Sequence, residues 1–387
     1  MSDEKRAVLP ATATTGLRGA SFAVVAVACL GAAACTGTPS RAAGQGATDA
    51  AQAERAVDGL LADYRGRVPG ASVLVLRDGR PLLRRGYGLA VLEDGIKATP
   101  QTNYRLASVS KQFTAAAVLL LAQDGKLGLD DPVRRWLPSL PKACDAITLR
   151  QILSHQSGLI DYEDVMPASF DADAHQMHDS DVLAVLEGQD RTYFAPGSGY
   201  RYSNSGYSLL ALVVAKASGR GFAEFLRERI FLPLGMRDTV AYERGVSSVA
   251  HRAYGYSYEH GRWQRTDQSP TSATLGDGGI YSSIDDLAKW DAALYDQRLL
   301  SDASRALAFA AHTPTDAPDV GYGYGWRITG ETLWHSGESM GFRNVIVRWP
   351  QRRLTVVVLS NRNDPEPYRM ALKIGDLYLP GSPVRAH

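Results

Sequence analysis

Apolar and polar positions follow two rhythms along this chain, and the rhythms separate its middle from its ends. In the middle, Phe113 to Leu121 and Tyr207 to Ala217 are largely apolar runs that predict buried helices. Near the start, Ala53, Val57, Leu60, Leu61 and Tyr64 recur at helical spacing, which predicts a helix over Ala51 to Tyr64. The rhythm then shortens. Ser72 to Leu76 and Pro81 to Leu89 are β-rich and flank Asp78-Gly79-Arg80, a hairpin signal. Strand-like runs return at Tyr322 to Ile328, Leu333 to Ser336, Asn344 to Trp349 and Thr355 to Ser360, and Pro367 to Leu379 predicts a closing helix. From Phe113 to about Leu307 the pattern is one of helices and long loops. Strands at both ends with helices between them predict an α+β fold. Its antiparallel sheet is completed by N- and C-terminal segments and flanked by helices, with a mainly helical subdomain inserted.

The first fifty residues stand apart from this pattern. Lys5, Arg6 and Arg18 precede an apolar run from Ala20 to Ala34, which suits an export signal and is short for a spanning helix. Ala32-Ala33-Ala34-Cys35 is similar to a bacterial lipoprotein cleavage site, with small residues before a cysteine that would carry lipid. The leucine usual three residues before that cysteine is missing, Cys29 is a competing lipid site, and cleavage after the alanines alone would release a soluble exported protein. Residues 1–35 are therefore read as an export signal of lipoprotein type with Cys35 lipidated. Residues 36–50, rich in small residues, are a flexible tether, and 51–387 the folded domain. The expected location is the periplasm or cell envelope, with membrane attachment through the lipid.

Composition narrows the function. The chain has 387 residues, 45% of them apolar, which is ample for a core. Its 42 basic and 41 acidic residues leave a net charge of +1, which offers no basic field to nucleic acid. Only Cys144 lies beyond the signal, so no internal disulfide is expected, and with no histidine near it in sequence it is read as a small filler rather than a nucleophile.

Three short elements carry candidate chemistry. Ser108-Val109-Ser110-Lys111 opens the first buried helix. In an α-helix a three-residue offset is about 4.5 Å of rise and about 60° of rotation, so hydroxyl and amine share a face. Serine becomes a nucleophile when a neighbour takes its proton, and a helix N-terminus favours a developing oxyanion. Alone, Ser108 is equally a helix cap. Tyr202-Ser203-Asn204 follows the turn Pro196-Gly197-Ser198-Gly199 and precedes the second helix. His335-Ser336-Gly337 ends a short strand. Separately these read as a buried ring, a turn residue and a polar strand residue.

In this order and at these separations the three elements resemble the motifs Ser-x-x-Lys, Tyr-x-Asn and Lys/His-x-Gly of the penicillin-recognising serine hydrolases. The resemblance is to the branch of class C β-lactamases, D-alanyl-D-alanine carboxypeptidases and related esterases. It extends through Leu153 to Leu159, Pro233-Leu234-Gly235-Met236, Gly278-Gly279-Ile280 and Asp286 to Trp290, from about Ala50 to Asn361. It implies the β-lactamase/transpeptidase-like fold and acyl transfer through Ser108, with a small-molecule or peptide substrate and no cofactor or metal. Lys111 and Tyr202 would share the proton of Ser108, Asn204 would bond the substrate amide or Lys111, and the backbone N–H groups of Ser108 and Glu338 would hold the oxyanion. Gly337 would keep the strand open to substrate. Which of Lys111 and Tyr202 is the base stays open. No Glu-x-x-Leu-Asn pattern occurs, so the same pair would also serve in deacylation.

One departure bears on substrate. His335 stands where β-lactamases usually carry lysine, and an imidazole is only partly charged at pH 7, which weakens capture of a carboxylate. Arg343 is the nearby candidate to restore that charge. The expectation is a D-amino-acid peptidase or esterase, with a true class C-like β-lactamase as one alternative and a non-hydrolytic penicillin-binding sensor or scaffold lipoprotein as another. Gly337-Glu338-Ser339-Met340-Gly341 matches a nucleophile elbow, but a strand follows it rather than a helix, and the only later histidine is His387. His175 and His178 have zinc-like spacing without cysteine partners and are read as a surface loop. Tyr322 to Trp326 is read as a packed strand.

Overall fold

The hairpin signal at Asp78-Gly79 is realised as two successive residues of positive φ, 51° and 73°, the turn that matches strand twist. It joins strands Ala71–Arg77 and Arg80–Tyr87. Our computed structural model describes residues 41–166 and 176–379. The segment read as an export signal, with Cys29 and Cys35, the start of the segment read as a tether, His175 and His387 lie outside the described residues.

The first strand pairs antiparallel with Leu354–Ser360, from Ala71 opposite Ser360 to Arg77 opposite Leu354. That single ladder joins the ends of the chain. The sheet has eight antiparallel strands in the order Thr313–Pro314, Gly321–Tyr322, Arg327–Thr329, Thr332–Ser339, Phe342–Trp349, Leu354–Ser360, Ala71–Arg77, Arg80–Tyr87. Side chains alternate across it. Val73, Val75, Val345, Val347, Val356 and Val358 pack with Val57 and Leu61 of the first helical segment and with Ala371 and Ile374 of the closing helix Tyr368–Tyr378. Leu74, Leu76, Ile346, Val357 and Leu359 instead pack with Phe113 and Trp290. Helices therefore cover both faces, and each fully buried side chain of this size contributes roughly 1.5–3 kcal/mol. The helix Lys111–Gln123 is buried all round over most of its length, as its unbroken apolar run requires.

Three expectations are corrected. The first helix spans Arg41–Leu60, so it begins within the segment read as a tether. Alanine and glutamine are good helix formers, and the scarcity of apolar residues hid them. The middle of the chain is not only helical. Ile280–Ser282 pairs with Tyr104–Arg105 and with Val240–Ala241, and Tyr256–Glu259 forms a hairpin with Arg262–Arg265. Strands of two to four residues are too short to show a period. The run Tyr322 to Ile328 is two short strands broken around Gly325, whose φ is 76°.

Candidate active site

Ser108 lies on a 3-10 turn, Ala107–Ser110, that leads into the helix Lys111–Gln123. The geometry is tighter than the α-helical one expected, and in a 3-10 turn residues three apart eclipse one another. Lys111 Nζ accordingly lies 3.2 Å from Ser108 Oγ. Ala107, just before the serine, is held at φ 49°, an uncommon conformation for a residue with a side chain. Ser108 is partly exposed, whereas Lys111 is fully buried.

Two acceptors pin the amine. Lys111 Nζ donates to Asn204 Oδ1 at 2.8 Å and to the carbonyl of Asp277 at 2.9 Å. With these two directions occupied, the third points at Ser108 Oγ, as a proton on an ammonium or as a lone pair on an amine. Asn204 is itself fixed. It opens the helix Asn204–Ser218, which Ser203 caps through Gly206 N–H, and its own N–H donates to Asp161 Oδ2 at 2.7 Å. Tyr202 immediately precedes this cap, and Lys111 Nζ sits 4.9 Å from the centre of its ring. The structure thus brings Ser108, Lys111, Tyr202 and Asn204 together.

The third motif supplies packing and no charge. His335 is fully buried; its Nδ1 is 2.6 Å from Ser336 O and its Nε2 is 2.9 Å from Tyr322 Oη. A carbonyl only accepts, so Nδ1 carries the proton and Nε2 accepts from the tyrosine. Burial, with Arg327 nearby, holds this imidazole well below its ordinary pKa, so it is neutral at pH 7 rather than partly charged. Gly337 has a reason different from the one expected. A Cβ there would stand 2.0 Å from Leu106 O, so the glycine lets the strand touch the turn that carries Ser108. Arg343 is engaged in its own hairpin, donating to Ser339 O and Phe342 O, with Glu338 3.6 Å away; the Glu338 side chain faces solvent.

Several residues at the site carried no motif. His155 is buried at φ 60°, packs against Tyr202 with ring centres 4.3 Å apart and planes tilted by 37°, and accepts the Ser203 N–H on Nδ1. Burial first, and then Lys111, hold it neutral. Its signal lay in the Leu153 to Leu159 segment, which resembled the family without suggesting a role. Arg327 stands 5.6 Å from the Tyr202 ring and 5.9 Å from Tyr322, with a buried Nε that has no hydrogen-bond partner. Asp277 and Asp161 had no signal beyond being acids beside glycine or apolar residues. Cys144 is buried, with its thiol pushed up to about 11 by that burial, as suits a filler. Among the described residues no group of acids, histidines and cysteines could hold a metal ion. None of their helices is long and apolar enough to cross a membrane.

A buried lysine joined to a serine and an asparagine, beneath a helical layer and an antiparallel sheet, defines a class of protein with the β-lactamase fold. The β-lactamase family model matches residues 51–377, and the chain belongs to that family. It is 34% identical over 330 residues to penicillin-binding protein 4* of Bacillus subtilis, an alignment covering 81% of this chain and 72% of that protein. It is 31% identical to a D-aminopeptidase of Gluconobacter oxydans, over 80% of this chain and 59% of the relative, so it spans about three fifths of that enzyme's length. Among solved structures, the octameric penicillin-binding protein homologue from Pyrococcus abyssi superposes with a TM-score of 0.75 at 26% identity, covering 85% of this chain and 77% of that one. The D-amino acid amidase of Ochrobactrum anthropi gives 0.71 at 26%, covering 84% and 97%. Family and neighbours are those of a hydrolase of the serine type.

Proposed function

We propose that the protein hydrolyses ester or amide bonds of small D-amino-acid derivatives or related acyl donors through an acyl-serine intermediate. The observation that carries this reading is the placement of Lys111 Nζ, held by two acceptors and aimed at Ser108 Oγ. Ser108 Oγ bonds to the substrate carbonyl carbon as its proton passes to Lys111 or Tyr202, and the alcohol or amine leaves carrying a proton. Water then attacks the acyl-serine with the same groups taking and returning the proton. The backbone N–H groups of Ser108 and Glu338 face the developing oxyanion in this reading, and Asn204 orients Lys111. The neutral His335 weighs against efficient capture of a β-lactam carboxylate at that position, and the D-aminopeptidase and D-amino acid amidase relatives point the same way. Arg327 is then the anion-binding group of the site, for a substrate that carries a carboxylate.

The test is covalent labelling by a fluorophosphonate, mapped to the Ser108 peptide and lost in Ser108→Ala, followed by a panel of p-nitrophenyl esters, D-amino-acid amides and nitrocefin. Turnover of nitrocefin with inert esters and amides overturns the ranking. Labelling without turnover of any class identifies a sensor that stays acylated. The reading includes export with lipid on Cys35, tested by palmitate incorporation in wild type and Cys35→Ala.

A further inference from the structure

Lys111 depends on Asp277 for one of its acceptors, and the side chain of that residue is a carboxyl only 6% exposed. Oδ1 is buried without a hydrogen-bond partner, and Oδ2 lies 3.2 Å from Tyr162 Oη. Tyr162 Oη is also 3.4 Å from Glu163 Oε1. A single phenolic proton cannot be donated to two carboxylates, so satisfying both contacts requires a second proton on one of the acids. Glu163 is exposed to solvent, whereas Tyr162 and Asp277 are buried. The row Glu163, Tyr162, Asp277 therefore runs from bulk water to the residue that holds the amine.

The charged and titratable groups around Asp277 come from four directions. Lys111 comes from its helix, Arg105 from the strand Tyr104–Arg105, Asp161, Tyr162 and Glu163 from the turn Tyr162–Val165 and its cap, and Asp179 from the start of helix Asp179–Glu187. Asp179 accepts the N–H groups of Leu275 and Gly276 and so fixes the loop that presents the Asp277 carbonyl. Two buried acids thus back a single buried amine. Burial raises both, and Lys111 is the first group that opposes this at Asp277.

We infer that Asp277 is a positioning residue for Lys111: its carbonyl fixes the amine, and its carboxyl, exchanging protons with solvent along Tyr162 and Glu163, sets the charge the amine faces. The exchange balances. A proton on Asp277 passes to the Tyr162 oxygen as the Tyr162 proton passes to the Glu163 carboxylate, which releases it to water. The inference rests on the acyl-serine reading above and adds to it the group that tunes the amine.

The experiment is the pH profile of the second-order rate of fluorophosphonate labelling at Ser108. Asp277→Asn keeps the main-chain carbonyl and removes the charge. An ammonium that loses an adjacent carboxylate gives up its proton more readily, so the limb governed by Lys111 should move to lower pH by about one unit or more. Tyr162→Phe, which takes from the Asp277 carboxylate a hydrogen bond that favours its charge, should move the same limb in the same direction by less, and Glu163→Gln, which leaves the Tyr162 proton to Asp277 and removes a repelling charge, should move it the opposite way. Limbs that superimpose on wild type, with only the amplitude changed, overturn the inference and leave Asp277 a structural residue. Should Asp277→Asn show no cooperative unfolding, the other two variants decide, and unmoved limbs in both overturn it. Wild type that never labels overturns the acyl-serine reading and this inference with it.

Discussion

Replacing Arg327 with methionine tests where the site meets a negative charge. The guanidinium is partly exposed, lies within 6 Å of the Tyr202, Tyr322 and Trp334 rings, and has a buried Nε with no partner. The other candidates for this task are otherwise disposed: His335 is neutral, and Arg343 is bonded to its own hairpin carbonyls. A charge-assisted hydrogen bond contributes about 1.5–3 kcal/mol, and each 1.36 kcal/mol is tenfold in rate. Arg327→Met should therefore lower kcat/KM by about 10- to 150-fold for a substrate bearing a free carboxylate. Methionine preserves much of the apolar stem that packs on the rings, so the matched methyl ester should change by no more than about threefold. The assay is steady-state hydrolysis of that pair, differing only in carboxylate against ester, by wild type and variant. An equal fall for both substrates would show that Arg327 supports the aromatic wall rather than the ligand, and would refute the reasoning.

Four further outcomes follow from the geometry. Lys111→Met should slow acylation of Ser108 by about 10²–10⁴-fold, the usual range for a lost proton-transfer group, while Ser108→Ala abolishes labelling; rapid labelling of Lys111→Met would exclude the amine from the acylation step. His335→Lys would bury an ammonium among Tyr322, Tyr202 and main-chain carbonyls, so thermal melts should show a loss of about 3 kcal/mol or more, with no gain in nitrocefin turnover. Asp179 holds its proton to about pH 8 in the folded state and releases it near 3.8 when unfolded. Its stabilisation is complete below 3.8 and is lost as pH rises towards 8, at up to about 1.4 kcal/mol per pH unit. The stability of wild type relative to Asp179→Asn in urea unfolding should therefore fall as pH rises from 6.5 towards 8, while the protons shed there by unfolded His155 and His335, which are neutral in the fold, affect both proteins alike. Gly337→Ala would press a Cβ onto Leu106 O, so it should lower stability by about 2 kcal/mol or more and slow acylation, and a wild-type melt for this variant would contradict the close approach.

The fold was legible where burial leaves a long periodic trace. The Ala71–Arg77 hairpin, the Phe342–Trp349 and Leu354–Ser360 strands and the Lys111–Gln123 helix lie within a few residues of their expected bounds because each fills a sheet face or a core channel. Ile280–Ser282 was missed, since three residues show no rhythm, yet it pairs on both sides and precedes the helix Ile284–Ala293. The site divides in the same way. Ser108, Lys111, Tyr202 and Asn204 are legible because their separations repeat a known pattern. His155, Arg327 and Asp277 reach the site through contacts between segments far apart in sequence, and only folding creates those contacts. His335 was legible in position and not in state, because its charge depends on burial and on the proton that Ser336 O fixes to Nδ1.

The strained backbone at Ala107 explains why so many unrelated segments converge on one turn. A residue with a side chain at φ 49° costs of order 1–3 kcal/mol and persists only where its surroundings leave no alternative. Here the strand carrying Gly337 closes on Leu106, Gly325 closes on Lys111 O, and Leu106 N–H is tied to Ile280 O. Each contact requires the near absence of a side chain or the commitment of a backbone bond, and together they leave Ser108 no freedom to relax. The amine is fixed from the opposite chemistry, by a side-chain amide and a carbonyl on two further segments. Hydroxyl and amine are thus set by independent constraints from different parts of the chain. That is the arrangement in which a 3.2 Å separation is kept before any substrate arrives, so no binding energy is diverted to assembling it.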